Sequence, residues 1–339
     1  MSIAIGVIGG GSFGTALAKL LGEKGHDIHL WVFESDLCER MQKTRVNDLY
    51  LPEVTLPPNV LPTSSLREAI NGRDLLISVT PSHVVRGVMS QVAPLLTQPI
   101  PVVSATKGIE NETLLLMSEV LEEVLPPGYR DHLAYVSGPS FAKEISKGFP
   151  TAVSVASYNP DLARWVQGVF SSTTFRCYTN TDVVGIELGG ALKNVIAVTV
   201  GIADGMGLGQ SARAALITRG LAEIRRLATQ KGADPLTFLG LAGVGDLVLT
   251  CCGDLSRNRS VGLALGRGKT LREILGDMKM VAEGVKTTKA AYDLARKYDV
   301  EVPIIDQTYA ILYEDKPARD AVREVMTRAL KSEVEAERY

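Results

Sequence analysis

The segment Gly9-Gly10-Gly11-Ser12-Phe13-Gly14 constrains this chain more than any other, because it follows an apolar run, Ile3–Ile8, and opens an amphipathic stretch, Thr15–Gly22. A GxGxxG at a strand-to-helix junction fits a dinucleotide. The first glycine permits the tight turn, the second lets the backbone approach a pyrophosphate, and the third lets helix meet strand; the helix N-terminus attracts the phosphates. Gly9, Gly11, Ser12, Phe13 and Gly14 are therefore candidate cofactor contacts. Glu34 stands twenty positions after Gly14, at the end of the next β-branched run, where a carboxylate accepts from the ribose hydroxyls of NAD. A 2′-phosphate would be repelled there, yet Arg40 and Lys43 follow within two helical turns. NAD is favoured and NADP stays open.

The pattern that follows predicts the architecture. Short apolar runs (Asp27–Val32, Asp74–Val79, Pro101–Ala105, His132–Ser137, Ala152–Ala156) alternate with helical spacing up to about residue 182. This is the signature of a mostly parallel, doubly wound α/β Rossmann-like domain. Several runs end in turn-forming residues: Gly9-Gly10-Gly11, Thr80-Pro81-Ser82, Thr106-Lys107-Gly108 and Gly138-Pro139-Ser140. Ligands of such sheets bind outside the carboxyl ends of the strands, so these loops should share one crevice. From residue 183 to 339 the strand runs stop, and Ala/Leu/Val/Gly segments such as Gly189–Ala203 and Arg213–Gln230 predict an all-α second domain that binds substrate. The charged end, Lys331–Tyr339, is expected to be a solvated helix end or a frayed tail.

With 36 Lys plus Arg against 38 Asp plus Glu in 339 residues, the chain offers no field for a phosphate polymer, and nucleic acid is not expected as a partner. Cys38, Cys177, Cys251 and Cys252 form no CxxC, the N-terminus has no basic leader, and no charge-free stretch reaches the length of a membrane span. A cytoplasmic protein with reduced thiols, no stable membrane insertion and a small-molecule substrate is expected, as a homodimer. His26, His29, His83 and His132 are scattered without metal-ligand spacing, so no metal site is expected. There is no GxSxG elbow, and Leu263 breaks the phosphate loop that Gly268-Lys269-Thr270 would end.

Single residues in the second half invite chemistry. Lys193 lies in an otherwise uncharged helical segment, Gly189–Thr199, where desolvation lowers an ammonium's pKa towards the range of a general acid; a lysine snorkelling to water is the alternative. Asp246 stands in an apolar run, where a carboxylate must be paired, with Lys193 or with substrate hydroxyls, or must cap a helix. Ser256-Arg257-Asn258-Arg259 reads equally as a helix cap and as a phosphate site built on a guanidinium fork.

Taken in order, Gly138-Pro139-Ser140-Phe141-Ala142, Gly189-Gly190-Ala191-Leu192-Lys193-Asn194, Gly243-Val244-Gly245-Asp246-Leu247 and Ser256-Arg257-Asn258-Arg259 behind the fingerprint resemble the glycerol-3-phosphate dehydrogenase family, from Ile5 to about Tyr313. The resemblance implies interconversion of dihydroxyacetone phosphate and sn-glycerol 3-phosphate with NAD or NADP, a step that supplies glycerophospholipid synthesis. It implies that Lys193 is the proton donor to the C2 oxygen. Substrate contacts would come from Lys107, Gly138, Ser140, Lys193, Asp246, Ser256, Arg257 and Asn258. Cofactor contacts would come from Phe33, Glu34, Lys107, Ala142, Arg257, Val281 and Glu283 beside the fingerprint. Where bacterial members of the family often carry a basic residue after the second strand, this chain has Phe33-Glu34, which argues against a preference for NADP.

Overall fold

A computed structural model describes residues 2–277 and 282–333. Among the described residues ten strands form: β1 (Ala4–Ile8), β2 (Asp27–Trp31), β3 (Val46–Asn47), β4 (Leu51–Thr55), β5 (Val60–Thr63), β6 (Leu75–Ser78), β7 (Val102–Ser104), β8 (Leu133–Ser137), β9 (Thr151–Ala156) and β10 (Phe175–Asn180). Eight make one sheet in the order β10-β9-β8-β7-β6-β1-β2-β5, and β3 pairs with β4 as a separate hairpin. Every pairing in the large sheet is parallel except β8 with β9. The mostly parallel doubly wound sheet read from the sequence is thus present. Its central strands are apolar on both faces, as helices on both sides require: Ile5, Val7, Leu75, Ile77, Val102 and Val103 are fully buried.

The chain runs β1, β2, β5 outward on one side and then returns to place β6 on the other side of β1. That reversal opens a crevice at the carboxyl ends of β1 and β6, where open α/β sheets bind ligands. Three pairing elements were not legible as strands. β5 is a four-residue edge strand containing Pro62, which its edge position tolerates because one side of the strand needs no donor. β10 forms the opposite edge and alternates buried Phe175 and Cys177 with exposed residues. The hairpin β3–β4 lies between β2 and β5 in the sequence, with only two residues in its first strand.

The second half is helical, as its spacing predicts. Its axis is the helix Val183–Gly205, started by Asp182, whose side chain accepts from the Gly185 N–H at 2.8 Å. This helix is long and apolar enough to cross a membrane, but 89 % of its most apolar window is buried inside the molecule, the pattern of a core helix. Around it pack Gly209–Gln230, Asp246–Cys252, Arg257–Gly266 and Glu283–Lys297. Asp234 and Pro235 start a 3-10 turn and Pro303 starts the helix Pro303–Tyr313.

Candidate active site

The fingerprint forms the floor of the crevice. Gly9 has φ +131°, and a Cβ there would press on the Val79 and Thr80 backbone at about 3.0 Å. A Cβ on Gly14 would stand 1.9 Å from the Gly9 carbonyl oxygen. These two glycines are thus required by the fold itself. Gly11 is different: a Cβ there would meet nothing within 4 Å, so the fold alone does not require a glycine at this position. It precedes the helix Ser12–Glu23, which has no side-chain cap, leaving the first-turn N–H groups of Ser12 and Phe13 available to an anion. The loop is braced from below, where Asn47 Nδ2 donates to the Gly10 carbonyl and to Thr15 Oγ1, each at 2.8 Å. These features fit a dinucleotide pyrophosphate.

At the end of β2, Phe33 is 76 % exposed and edge-on to Trp31, with ring centroids 6.1 Å apart. Glu34 caps the next helix through its backbone and accepts a hydrogen bond from the Tyr50 hydroxyl at 2.7 Å through Oε1; no partner of Oε2 is found among the described residues. Burial, followed by this carboxylate, pushes the Tyr50 phenol up to about 12. Tyr50 therefore orients Glu34, a partner the sequence did not reveal. Arg40, considered above as a counter-ion for a 2′-phosphate, is held by Asp36 at 2.8 Å and by Asp48 at 2.8 and 3.1 Å.

The four turn loops do converge. Thr106 Oγ1 donates to the Thr80 carbonyl at 2.7 Å, Gly108 packs on Ser82, and Lys107 Nζ donates to the Gly138 carbonyl at 3.0 Å. Ser140 Oγ donates to the same Gly138 oxygen at 2.9 Å. Ala142 opens a short helix, Ala142–Ser146, that packs on the fingerprint helix.

Over this crevice the second half sets its polar residues. Asp246 is completely buried, and its two carboxylate oxygens are divided between two ammonium groups: Oδ2 accepts from Lys107 Nζ at 2.7 Å, and Oδ1 accepts from Lys193 Nζ. Lys193 also donates to Thr250 Oγ1 at 2.7 Å. Thr250 was missed, although its place four residues after Asp246 puts both on one helix face. Burial is the largest influence on Lys193 and lowers its pKa; the Asp246 carboxylate opposes this, and Lys107 adds to it. The result is about 8, which lets Lys193 exchange a proton near neutral pH.

The remaining candidates frame one side. Ser256 is buried as the cap of the helix Arg257–Gly266, its hydroxyl accepting from the Arg259 N–H at 3.2 Å, so the capping alternative describes that side chain. Asn258 donates to Asn194 Oδ1 and accepts from the Gly284 N–H, both at 2.8 Å, leaving one amide hydrogen without an assigned acceptor. Arg259 is engaged by Asp204 at 2.8 Å and Asp254 at 3.1 Å. Arg257 is exposed and has neither hydrogen bond nor ion pair among the described residues, with Glu283 its charged neighbour. Glu283 reaches across to accept from Ser82 Oγ at 2.8 Å, joining the helical half to the end of β6. Val281 lies outside the described residues.

The sequence matches one family in two parts: residues 4–163 match "NAD-dependent glycerol-3-phosphate dehydrogenase N-terminus" and residues 182–323 match the corresponding C-terminus. A glycerol-3-phosphate dehydrogenase [NAD(P)+] of Geobacter sulfurreducens is 58% identical over 333 residues, covering 98% of this chain and 99% of its own. The crystal structure of glycerol-3-phosphate dehydrogenase from Coxiella burnetii superposes with a TM-score of 0.92 at 38% identity, covering 96% and 99% of the two chains. A ketopantoate reductase from Ralstonia eutropha, 14% identical with a TM-score of 0.60, shares the fold alone.

Proposed function

Since the chain belongs to the NAD-dependent glycerol-3-phosphate dehydrogenase family, oxidoreductases that act on a CH–OH group with NAD(P), we propose that its own reaction centre is the Lys193–Asp246–Lys107 triad. The observation that carries this reading is one buried carboxylate shared by two lysines from opposite halves of the molecule, at the mouth of the dinucleotide crevice.

Gly9, Gly11, Ser12, Phe13 and Gly14 would hold the pyrophosphate, Phe33 and Glu34 the adenosine end, and Lys107, Ala142, Arg257 and Glu283 the rest of the cofactor. When bound, NAD(P)H supplies the hydride that reduces C2 of dihydroxyacetone phosphate. Lys193 then holds the proton that this oxygen takes up, and in the reverse direction the neutral amine removes the hydroxyl proton of glycerol 3-phosphate. Asp246 fixes Lys193 Nζ in place and keeps it charged against the cost of burial. Lys107, Gly138 and Ser140 line the neighbouring wall. Arg257 meets the substrate phosphate with Asn258 beside it, supported by its having no ion pair among the described residues, in contrast to Arg259. Ser256 acts through the start of that helix. The same reading makes the protein cytoplasmic, in keeping with four free cysteines, and a homodimer, which sedimentation in solution tests.

The decisive test is oxidation of NADH dependent on dihydroxyacetone phosphate. The parent protein turns over, and Lys193→Met binds cofactor but loses two to four orders of magnitude in kcat, the usual share of a positioned general acid. Near-normal turnover in the variant removes Lys193 from the mechanism.

A further inference from the structure

Beneath the triad lies a small cavity of about 10 Å³, lined by Ser104, Thr106, Lys107, Tyr135, Ser137 and Glu187. That size holds about one water molecule. The hydroxyls of Ser104, Tyr135 and Ser137 are buried and have no hydrogen-bond partner among the described residues. Buried hydroxyls are nearly always satisfied, so three of them around one polar cavity point to a bound ligand with both donor and acceptor capacity. The reaction chemistry described above uses none of the three. Gly190 keeps this wall open: a Cβ there would stand 2.5 Å from Ser137 Oγ and 3.5 Å from Lys107 Cγ.

We propose that this cavity is an ordered-water site that links Glu187 to Lys107, and that Glu187 acts through it as the proton store from which Lys193 is recharged after each reduction. Glu187 lies on the central helix six residues before Lys193, its carboxylate accepting from the Ser118 N–H at 2.9 Å and from the Ser118 hydroxyl. Burial pushes it up to about 8, so it carries a proton at neutral pH and matches Lys193 as a donor. The other titratable groups facing Glu187 are Glu119 and Lys231, paired with each other at 2.7 Å, Tyr135 and Tyr158 on the sheet side, and Lys107 across the cavity.

The proton balance closes. Lys193 gives one proton to the substrate oxygen and becomes an amine. Lys107, held beside Lys193 by the shared Asp246 carboxylate and within hydrogen-bond reach of it, passes one proton from its ammonium to the Lys193 amine, and Asp246 stays ionised. The water takes the Glu187 proton and gives one to Lys107, and the Glu187 carboxylate is reprotonated from solvent. Electrons move only with the hydride, and oxidation runs the relay backwards.

This inference rests on the triad reading, and its test separates the two. Dihydroxyacetone phosphate reduction is followed with NADH in H2O and D2O across pH for the parent, Glu187→Gln, Ser137→Ala and Lys193→Met. In Glu187→Gln, kcat is expected to fall about tenfold as a proton-transfer step is exposed. The solvent isotope effect on kcat should rise, while KM and NADH affinity stay within twofold. Ser137→Ala should reproduce that pattern, and a high-resolution crystal structure of the whole protein should show water density in the cavity. If Glu187→Gln does not fold, Ser137→Ala and Tyr135→Phe carry the same isotope readout. An unchanged pH profile and isotope effect in the folded variants, with Lys193→Met inactive, overturns the relay and leaves the triad standing. An active Lys193→Met overturns both, and a cavity without water density overturns the site.

Discussion

Replacing Asp246 by Asn keeps the shape of the buried side chain but removes the one charge that both lysines share. Burial already depresses Lys193 to about 8, with Asp246 the main influence holding it up. A hydrogen bond to a charged group contributes about 1.5–3 kcal/mol, and 1.36 kcal/mol corresponds to one pH unit, so its loss should move Lys193 from about 8 to about 6–7. At pH 8 the ammonium form then drops from about half of the molecules to roughly 1–10 %, a five- to fiftyfold loss of reduction rate. The loss should shrink as the pH is lowered to 6. Stability should move in the opposite sense. A lysine with a depressed folded-state pKa binds protons less readily than it does in the unfolded chain, so stability rises with pH above that pKa. In the parent the rise begins near pH 8; in Asp246→Asn it begins near pH 6–7, and the stability deficit of the variant narrows between those limits. The assays are initial rates of NADH oxidation at low dihydroxyacetone phosphate and urea unfolding, each across pH 6–9. An apparent pKa still near 8, with a uniform loss of activity, would show that Asp246 positions Lys193 without setting its charge.

Two further outcomes follow from the same geometry. Arg257→Lys should lower kcat/KM for dihydroxyacetone phosphate ten- to several-hundredfold, because a point charge replaces a bidentate fork at about 1.5–3 kcal/mol per lost charged hydrogen bond. Dihydroxyacetone without its phosphate should be a poor substrate affected equally little in both forms, and equal harm to both would transfer Arg257 to the cofactor or the fold. NADH should be used at least comparably to NADPH, since Glu34 is oriented by Tyr50 and Arg40 is already neutralised by two aspartates. A preference for NADPH above about tenfold, or 1.4 kcal/mol, would overturn that assignment of Glu34.

What could be read from the sequence was whatever is decided locally. The fingerprint works through a positive φ at Gly9 and close approach at Gly14, both properties of neighbouring backbone. The change from strand runs to helical spacing near residue 182 is likewise short-range. The strands that escaped notice, β5 and β10, sit at the two edges, where one side is unpaired and the apolar signal is halved. The site is the other case. Asp246 meets Lys193 across 53 residues and Lys107 across 139, and Glu283 meets Ser82 across 201. No periodicity records such pairings; they exist because the strand order places four loops at one end of the sheet and the central helix lies over them.

A lone charge in an apolar run is nevertheless a sequence observation, and its physical meaning is a demand for a partner. Lys193 and Asp246 were both singled out on that ground, and the structure makes each the other's partner. Glu187 raises the same demand on the same helix and went unnoticed, because the uncharged window around Lys193 begins at Gly189, two residues beyond it. Its demand is met differently, by Ser118 and by an upward shift that keeps it protonated. Two buried ionisable groups six residues apart are thus stabilised by opposite means, one by pairing as an ammonium and one by neutrality. Each nevertheless titrates near pH 8. For a hydride transfer whose proton must be delivered and replaced away from bulk water, burial thus raises the carboxyl and lowers the ammonium, bringing both toward the range in which groups exchange protons near neutral pH.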